Sequence, residues 1–150
     1  MLHRASQRIL LCGLLFSLGS VAFAAEPWTD PRLPITNGLV LWFDVSRQNA
    51  ARGTAGLAPL QSWNDAPDTL LDGSGQRRHL TQPVLSARPR FRQEFNGAML
   101  SFDGINDFLG FNGQSSPLAE ATLVVVAAPR TNGGFRALAS FNAGWGTGGR

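Results

Sequence analysis

The chain has no lysine and no tyrosine, and it has one cysteine and two histidines among 150 residues. Each shortage removes a class of chemistry. The cysteine, Cys12, lies in an apolar N-terminal run, so the body of the chain has neither a disulfide nor a thiolate metal site. His3 lies in the same region. That leaves His79 alone, and one histidine makes neither a histidine metal cluster nor a choice of triads. Glutamate is limited to Glu26, Glu94 and Glu120. Arginine is the only strong base, 13 residues against 10 acidic ones, so the basic character is not a sign of nucleic acid. A nucleic-acid partner needs a clustered basic face. The adjacent Arg77-Arg78 and the alternating Arg88, Arg90 and Arg92 read as solvated loop charges.

What is present begins with an export leader. Arg4 and Arg8 precede an apolar run from Ile9 to Leu18, and Ala22-Phe23-Ala24 has the small-x-small pattern that signal peptidase accepts. The run is shorter than the ~20 residues a membrane span needs. Residues 1–24 therefore read as a Sec-type signal peptide, cleaved after Ala24, with no stable membrane span after processing. The destination is secreted, periplasmic or cell-surface. Leu11 before Cys12 is too large for a lipoprotein signal, and no Arg-Arg pair marks the twin-arginine route. Removing two arginines leaves eleven bases against ten acids, a net charge of +1.

The remainder is punctuated by turn residues. Pro27, Pro31 and Pro34 suggest an extended, Pro-rich leader over residues 25–37. After Asn37-Gly38, Leu39 to Phe43 reads as a buried strand. Ser46 to Ala51 has room for a helical turn, but Gly53 and Gly56 limit it, and residues 45–61 read as a surface loop reaching Trp63. Asp72-Gly73-Ser74-Gly75 is a turn cluster, Arg78 to Thr81 a short strand, residues 83–89 irregular, and Asn96-Gly97 another turn. Met99 to Phe102 and Phe108 to Phe111 flank a Gly-containing loop and predict a hairpin. Ser116-Pro117 suits one helical turn. The β-branched run Thr122 to Ala128 is the strongest predicted strand, turned at Asn132-Gly133-Gly134 into a partner from Phe135 to Phe141. Trp42, Phe102, Phe108 and Val124 to Val126 are the expected core. Short strands with frequent turns predict an all-β sandwich or barrel.

One order of motifs carries a resemblance. It runs Gly38-Leu39-Val40-Leu41-Trp42-Phe43-Asp44, Trp63-Asn64-Asp65, Asp72-Gly73-Ser74-Gly75 with His79-Leu80, Pro89-Arg90-Phe91, and Asn96-Gly97. Leu100-Ser101-Phe102-Asp103-Gly104-Ile105-Asn106-Asp107-Phe108-Leu109 follows, and Thr122 to Val126 completes it. This series over residues 38–141 resembles the first half of a LamG-like domain of the concanavalin A-like lectin/glucanase superfamily. The resemblance implies a jelly-roll antiparallel β-sandwich over residues 38–150. Such domains continue for further strands, so the domain is expected to be incomplete at its C-terminal end. It also implies glycan or extracellular-protein recognition.

The superfamily includes glycosidases. Retaining hydrolysis needs two carboxyl groups ~5 Å apart, and relatives carry a Glu-x-Asp-x-x-Glu or similar cluster that this chain lacks. Asp65 and Asp68 fall in a loop-like stretch beside Pro67. No catalytic residue is therefore expected. Asp103 and Asp107 have oxygen ligands suited to calcium, but without the spacing of a dedicated calcium loop, and the same residues serve a tight turn. No other cofactor is implied. Trp63, between Ser62 and Asn64, is the candidate sugar-stacking platform. The expectation is a secreted, non-catalytic recognition module. The alternatives are a structural spacer in a larger surface protein and, third, a glycoside hydrolase.

Overall fold

The computed structural model describes residues 24–35, 37–63, 65–95, 97–111, 113 and 120–128. Among them the chain forms a 3-10 turn (Val45–Arg47), helix α1 (Gln48–Thr54), strands β1 (Thr69–Leu70) and β2 (Leu80–Thr81), a second 3-10 turn (Leu85–Ala87), and strands β3 (Arg90–Glu94) and β4 (Gly97–Ser101). β1 pairs antiparallel with β2, and β3 with β4, giving two small sheets. The described residues are thus short antiparallel strands with little helix.

Residues 45–61 hold a helix where a loop was expected. Asp44 starts it: its Oδ1 accepts from Ser46 N at 2.8 Å and closes the leading turn. Of the two glycines expected to limit it, Gly53 lies inside the helix and Gly56 ends it. Gly56 has φ +69°, Leu57 N donates to Arg52 O at 2.8 Å and Gly56 N to Gly53 O at 3.2 Å. That pair of bonds with a left-handed glycine is a Schellman stop.

Side-chain amides on α1 then substitute for strand partners. Buried Gln48 accepts from Leu71 N at 2.8 Å and donates to Leu71 O at 3.0 Å. Asn49 does the same to Leu60, at 2.7 and 3.1 Å. Two strands of two residues satisfy few backbone groups, and a buried unpaired backbone group costs ~1–3 kcal/mol. These amides remove that cost.

The Asp72-Gly73-Ser74 segment is buried. Asp72 Oδ1 accepts from Trp42 N at 2.9 Å and Ser74 N at 3.0 Å. Its Oδ2 accepts from Ser74 Oγ at 2.7 Å and Arg78 N at 3.0 Å. Asp72 N donates to His79 Nδ1 at 3.0 Å, which places the neutral ring's hydrogen on Nε2. Gly73 passes under two indoles, Trp28 and Trp42, whose centroids lie 5.7 Å apart. Trp28, Ala51 and Leu71, with half-buried Trp42, form one core cluster, and Leu60, Leu70, Ala87 and Phe91 are buried outside it.

Several expected elements are replaced. Within the stretch expected to be an extended leader, residues 26–33 turn. Thr29 N to Glu26 O (3.0 Å) and Leu33 N to Asp30 O (2.9 Å) close two turns, with Pro27 and Pro31 at the second position, where proline presets φ. Leu39 to Phe43 forms no ladder; Asp72, Gly73 and Ser74 take up the polar groups of Val40 and Trp42. Met99 and Leu100 pair with Arg92 and Phe91, not with residues 108–111. The two-residue connection at 95–96 closes less chain than the loop after Ser101 would. Gly110 bridges Thr81 instead.

Thr122 to Ala128 lies exposed, with no ladder among the described residues. β-propensity is realised only against a paired neighbour. The expected core is correspondingly displaced: Phe102 is 49% exposed, Phe108 58% and Val124 81%, because among the described residues nothing layers over them. Residues 1–23, Ser116-Pro117, Asn132 to Gly134 and the return strand from Phe135 to Phe141 fall outside the described residues.

Candidate functional site

β3 has two long edges. One pairs with β4. Along the other runs the segment 61–65, which supplies the bonds a third strand would: Trp63 N to Phe91 O at 3.0 Å and Asp65 O from Phe91 N at 2.9 Å. The Ser62 hydroxyl adds two more, accepting from Gln93 N at 2.8 Å and donating to Gln93 O at 3.2 Å. Asp65 closes the segment on itself, with its N donating to Gln61 O at 3.2 Å and its Oδ2 accepting from Gln61 N at 2.5 Å. That tight reversal puts Trp63 at φ +70°, in the left-handed region that a bulky residue seldom occupies. Strain of this kind costs ~1–3 kcal/mol and persists only where surrounding bonds hold it.

Successive residues on a strand face opposite ways. Phe91 turns inward and is buried, so Arg92 turns to the other face. Its guanidinium carbon lies 3.8 Å from the Trp63 ring centroid, a cation–π contact. Arg92 Nε is buried without a hydrogen-bond partner. Trp63 is nevertheless 55% exposed. The ring is braced by Arg92 while much of it stays open.

A cleft of about 310 Å³ is lined by Arg52, Leu60, Asp65, Pro67, Asp68 and Arg88 among others, so Asp65 joins it to the segment that carries Trp63. A second cleft, about 290 Å³, is lined by Asp30, Arg32, Trp42 and Asp44. Its charges are engaged with one another: Arg32 Nη2 lies 3.1 Å and Arg47 Nη2 3.7 Å from Asp30 Oδ2. The Arg32 guanidinium, then its backbone N–H, hold the Asp30 carboxyl down at about 2.

Asp103 and Asp107 lie elsewhere, in the loop after β4. Asp103 Oδ1 accepts from Ile105, Asn106 and Asp107 N at 2.8, 3.1 and 3.2 Å, and Asp103 N donates to Asp107 Oδ2 at 2.9 Å. The Ile105 N–H first, with the others, holds the Asp103 carboxyl below its ordinary range. The loop is tied to the 3-10 turn at Leu85–Ala87 through Asn106 Nδ2 to Ser86 O, 3.2 Å, and Phe108 N to Ala87 O, 3.1 Å. Among the described residues, no three carboxylate, histidine or cysteine groups assemble as a metal centre. Among them, too, no helix is long and apolar enough to cross a membrane.

Arg92, Arg52 and Arg88 were missing from the sequence-derived candidates. The alternation Arg88-x-Arg90-x-Arg92 held the signal for Arg92, since period-two spacing puts charges on one strand face. Nothing near Arg52 in sequence points to Asp65 or Arg88. Comparisons with protein-family models, with curated proteins and with solved structures found no match.

Proposed function

We propose that this protein is an exported, non-catalytic glycan-recognition module whose β-hairpin and short sheets belong to a jelly-roll sandwich of the LamG-like kind. The observation that carries the reading is Trp63. An indole held in a strained backbone conformation, braced on Arg92 and still 55% exposed, is a pre-organised apolar platform. Pyranose rings present a face of C–H bonds that packs against such a surface, and a pre-set aromatic loses little conformational freedom on binding. The N-terminal signal motif supports delivery to where glycans are met, with a mature N-terminus at Ala25.

A glycan array probed with the exported chain, repeated with Trp63→Ala, tests this. At least one glycan class is retained by the native chain, and Trp63→Ala weakens it tenfold or more, ~1.4 kcal/mol. Silence across the array, or equal binding by the variant, overturns the reading. A mass spectrum of exported protein that still begins at Met1 overturns the export step.

A further inference from the structure

The cleft lined by Asp65, two residues on from Trp63, holds an unusual arrangement of charge. Arg52 and Arg88 line it together with Asp65 and Asp68, yet among the described residues no ion pair joins either arginine to either aspartate. Both guanidiniums are held in place by other bonds. Arg52 Nε donates to Ala58 O at 2.6 Å, and its Nη1 is buried with no partner. Arg88 donates from Nε to Gln82 O at 2.7 Å and from Nη2 to Pro83 O at 2.8 Å. Asp65 has one oxygen engaged, by Gln61 N at 2.5 Å. Asp68 is exposed. Buried Leu60 supplies apolar wall.

Arginine only donates and an ionised carboxylate only accepts. A ligand that completes both must carry acceptors and donors side by side. An anion satisfies the arginines and is repelled by the aspartates; a cation does the reverse. A polyol satisfies both, because each hydroxyl donates and accepts. The 310 Å³ cleft lies at the small end of ligand sites, ~300–1,000 Å³, in scale with a single sugar ring.

Trp63 and Asp65 are two residues apart, so their Cα atoms are separated by no more than ~7 Å. Both bond to Phe91, one through its carbonyl and one through its N–H. One segment along the edge of β3 therefore carries both Trp63 and a wall of the cleft. We infer that the cleft of Arg52, Asp65, Asp68 and Arg88 is a second subsite, which takes an uncharged sugar unit through its hydroxyls while Trp63 stacks on the unit beside it. This rests on the glycan reading and adds a minimum ligand length and a preference for neutral sugar.

Titration of the full exported chain with mono-, di- and trisaccharides of the class found on the array separates the two ideas. Tryptophan fluorescence, with Trp63→Phe as the blank, reports stacking. Affinity rises about tenfold or more from mono- to disaccharide in the native chain. Asp68→Asn and Arg52→Gln each lose most of that rise and keep the fluorescence response to monosaccharide. Asp68 is exposed, so its variant folds as the native chain does, with circular dichroism as the check. If sugar quenches the platform but the gain with length is absent, or survives both substitutions, the second subsite is wrong and the platform stands. If an acidic disaccharide binds more tightly than its neutral counterpart, the hydroxyl assignment is wrong. If no sugar changes the Trp63 signal, platform and subsite both fall.

Discussion

At the scale of single residues, two neighbours in the buried segment carry the most. A Cβ placed on Gly73 would lie 2.5 Å from Thr29 Cγ2, 2.6 Å from Trp42 Cε3 and 2.9 Å from Trp28 Cη2. The two ring atoms cannot move without unpacking the core, so Gly73→Ala lowers stability by ~1–3 kcal/mol, read as a fall in melting temperature. Asp72→Asn replaces an acceptor by a donor facing other donors, at Trp42 N and Ser74 N or at Ser74 Oγ and Arg78 N. It costs ~2 kcal/mol or more in denaturant melts. Asp30 sets a pH dependence. Its folded pKa, about 2 against an ordinary 3.8, means the unfolded chain binds more protons between those values. The contribution is complete above about 4 and is lost as pH falls through about 2. Melts between pH 5 and pH 2 show a slope that Asp30→Asn reduces. Asp103, also depressed, acts in the same direction.

At the scale of elements, α1 offers a paired test. Gly53 is inside the helix with nothing within 4 Å of an added Cβ, whereas Gly56 occupies φ +69°. The same substitution should have opposite signs three residues apart. Gly53→Ala stabilises by ~1 kcal/mol through helix propensity, and Gly56→Ala destabilises by ~1 kcal/mol through left-handed strain. Opposite shifts in melting temperature check it. The start and stop signals of this element, Asp44, the alanines and a glycine past the last turn, are in the sequence, but Gly53 inside it led to a loop being expected. Strand pairing was not legible in sequence. Met99 to Ser101 has the same pattern whether it joins β3 or residues 108–111, and the choice lies in loop closure and in Asp103 taking up its own loop's N–H groups.

At the scale of the whole molecule, apolar side chains remain outside. Phe95, Ile105 and Val126 are almost wholly exposed, with Val124 close behind. Large exposed apolar surfaces mark association sites or aggregation hazards. The exported chain by itself is therefore expected to bind a hydrophobic dye such as ANS and to associate at micromolar concentration. Val124→Asp with Val126→Asp should reduce light scattering without lowering the melting temperature, since neither side chain is buried in the core. A fall in melting temperature would show instead that the pair packs within the fold.

The sequence by itself determined the features whose bonds close over a few residues: the turns at Pro27 and Pro31, the stop at Gly56, the self-bonded loop at Asp103 and the shortage of groups for thiol or histidine chemistry. Tertiary structure decided the rest. It buried Asp72 beneath Trp42 thirty residues away, clamped Gln48 on Leu71 across twenty-three, and set Ser62 on Gln93 across thirty-one. Those contacts turn Trp63 outward, set Arg92 against it and bring Arg52 and Arg88 to one cleft. Each needs a long loop closed before its bonds form, so its partner is chosen by what else packs at the same time and not by neighbours along the chain.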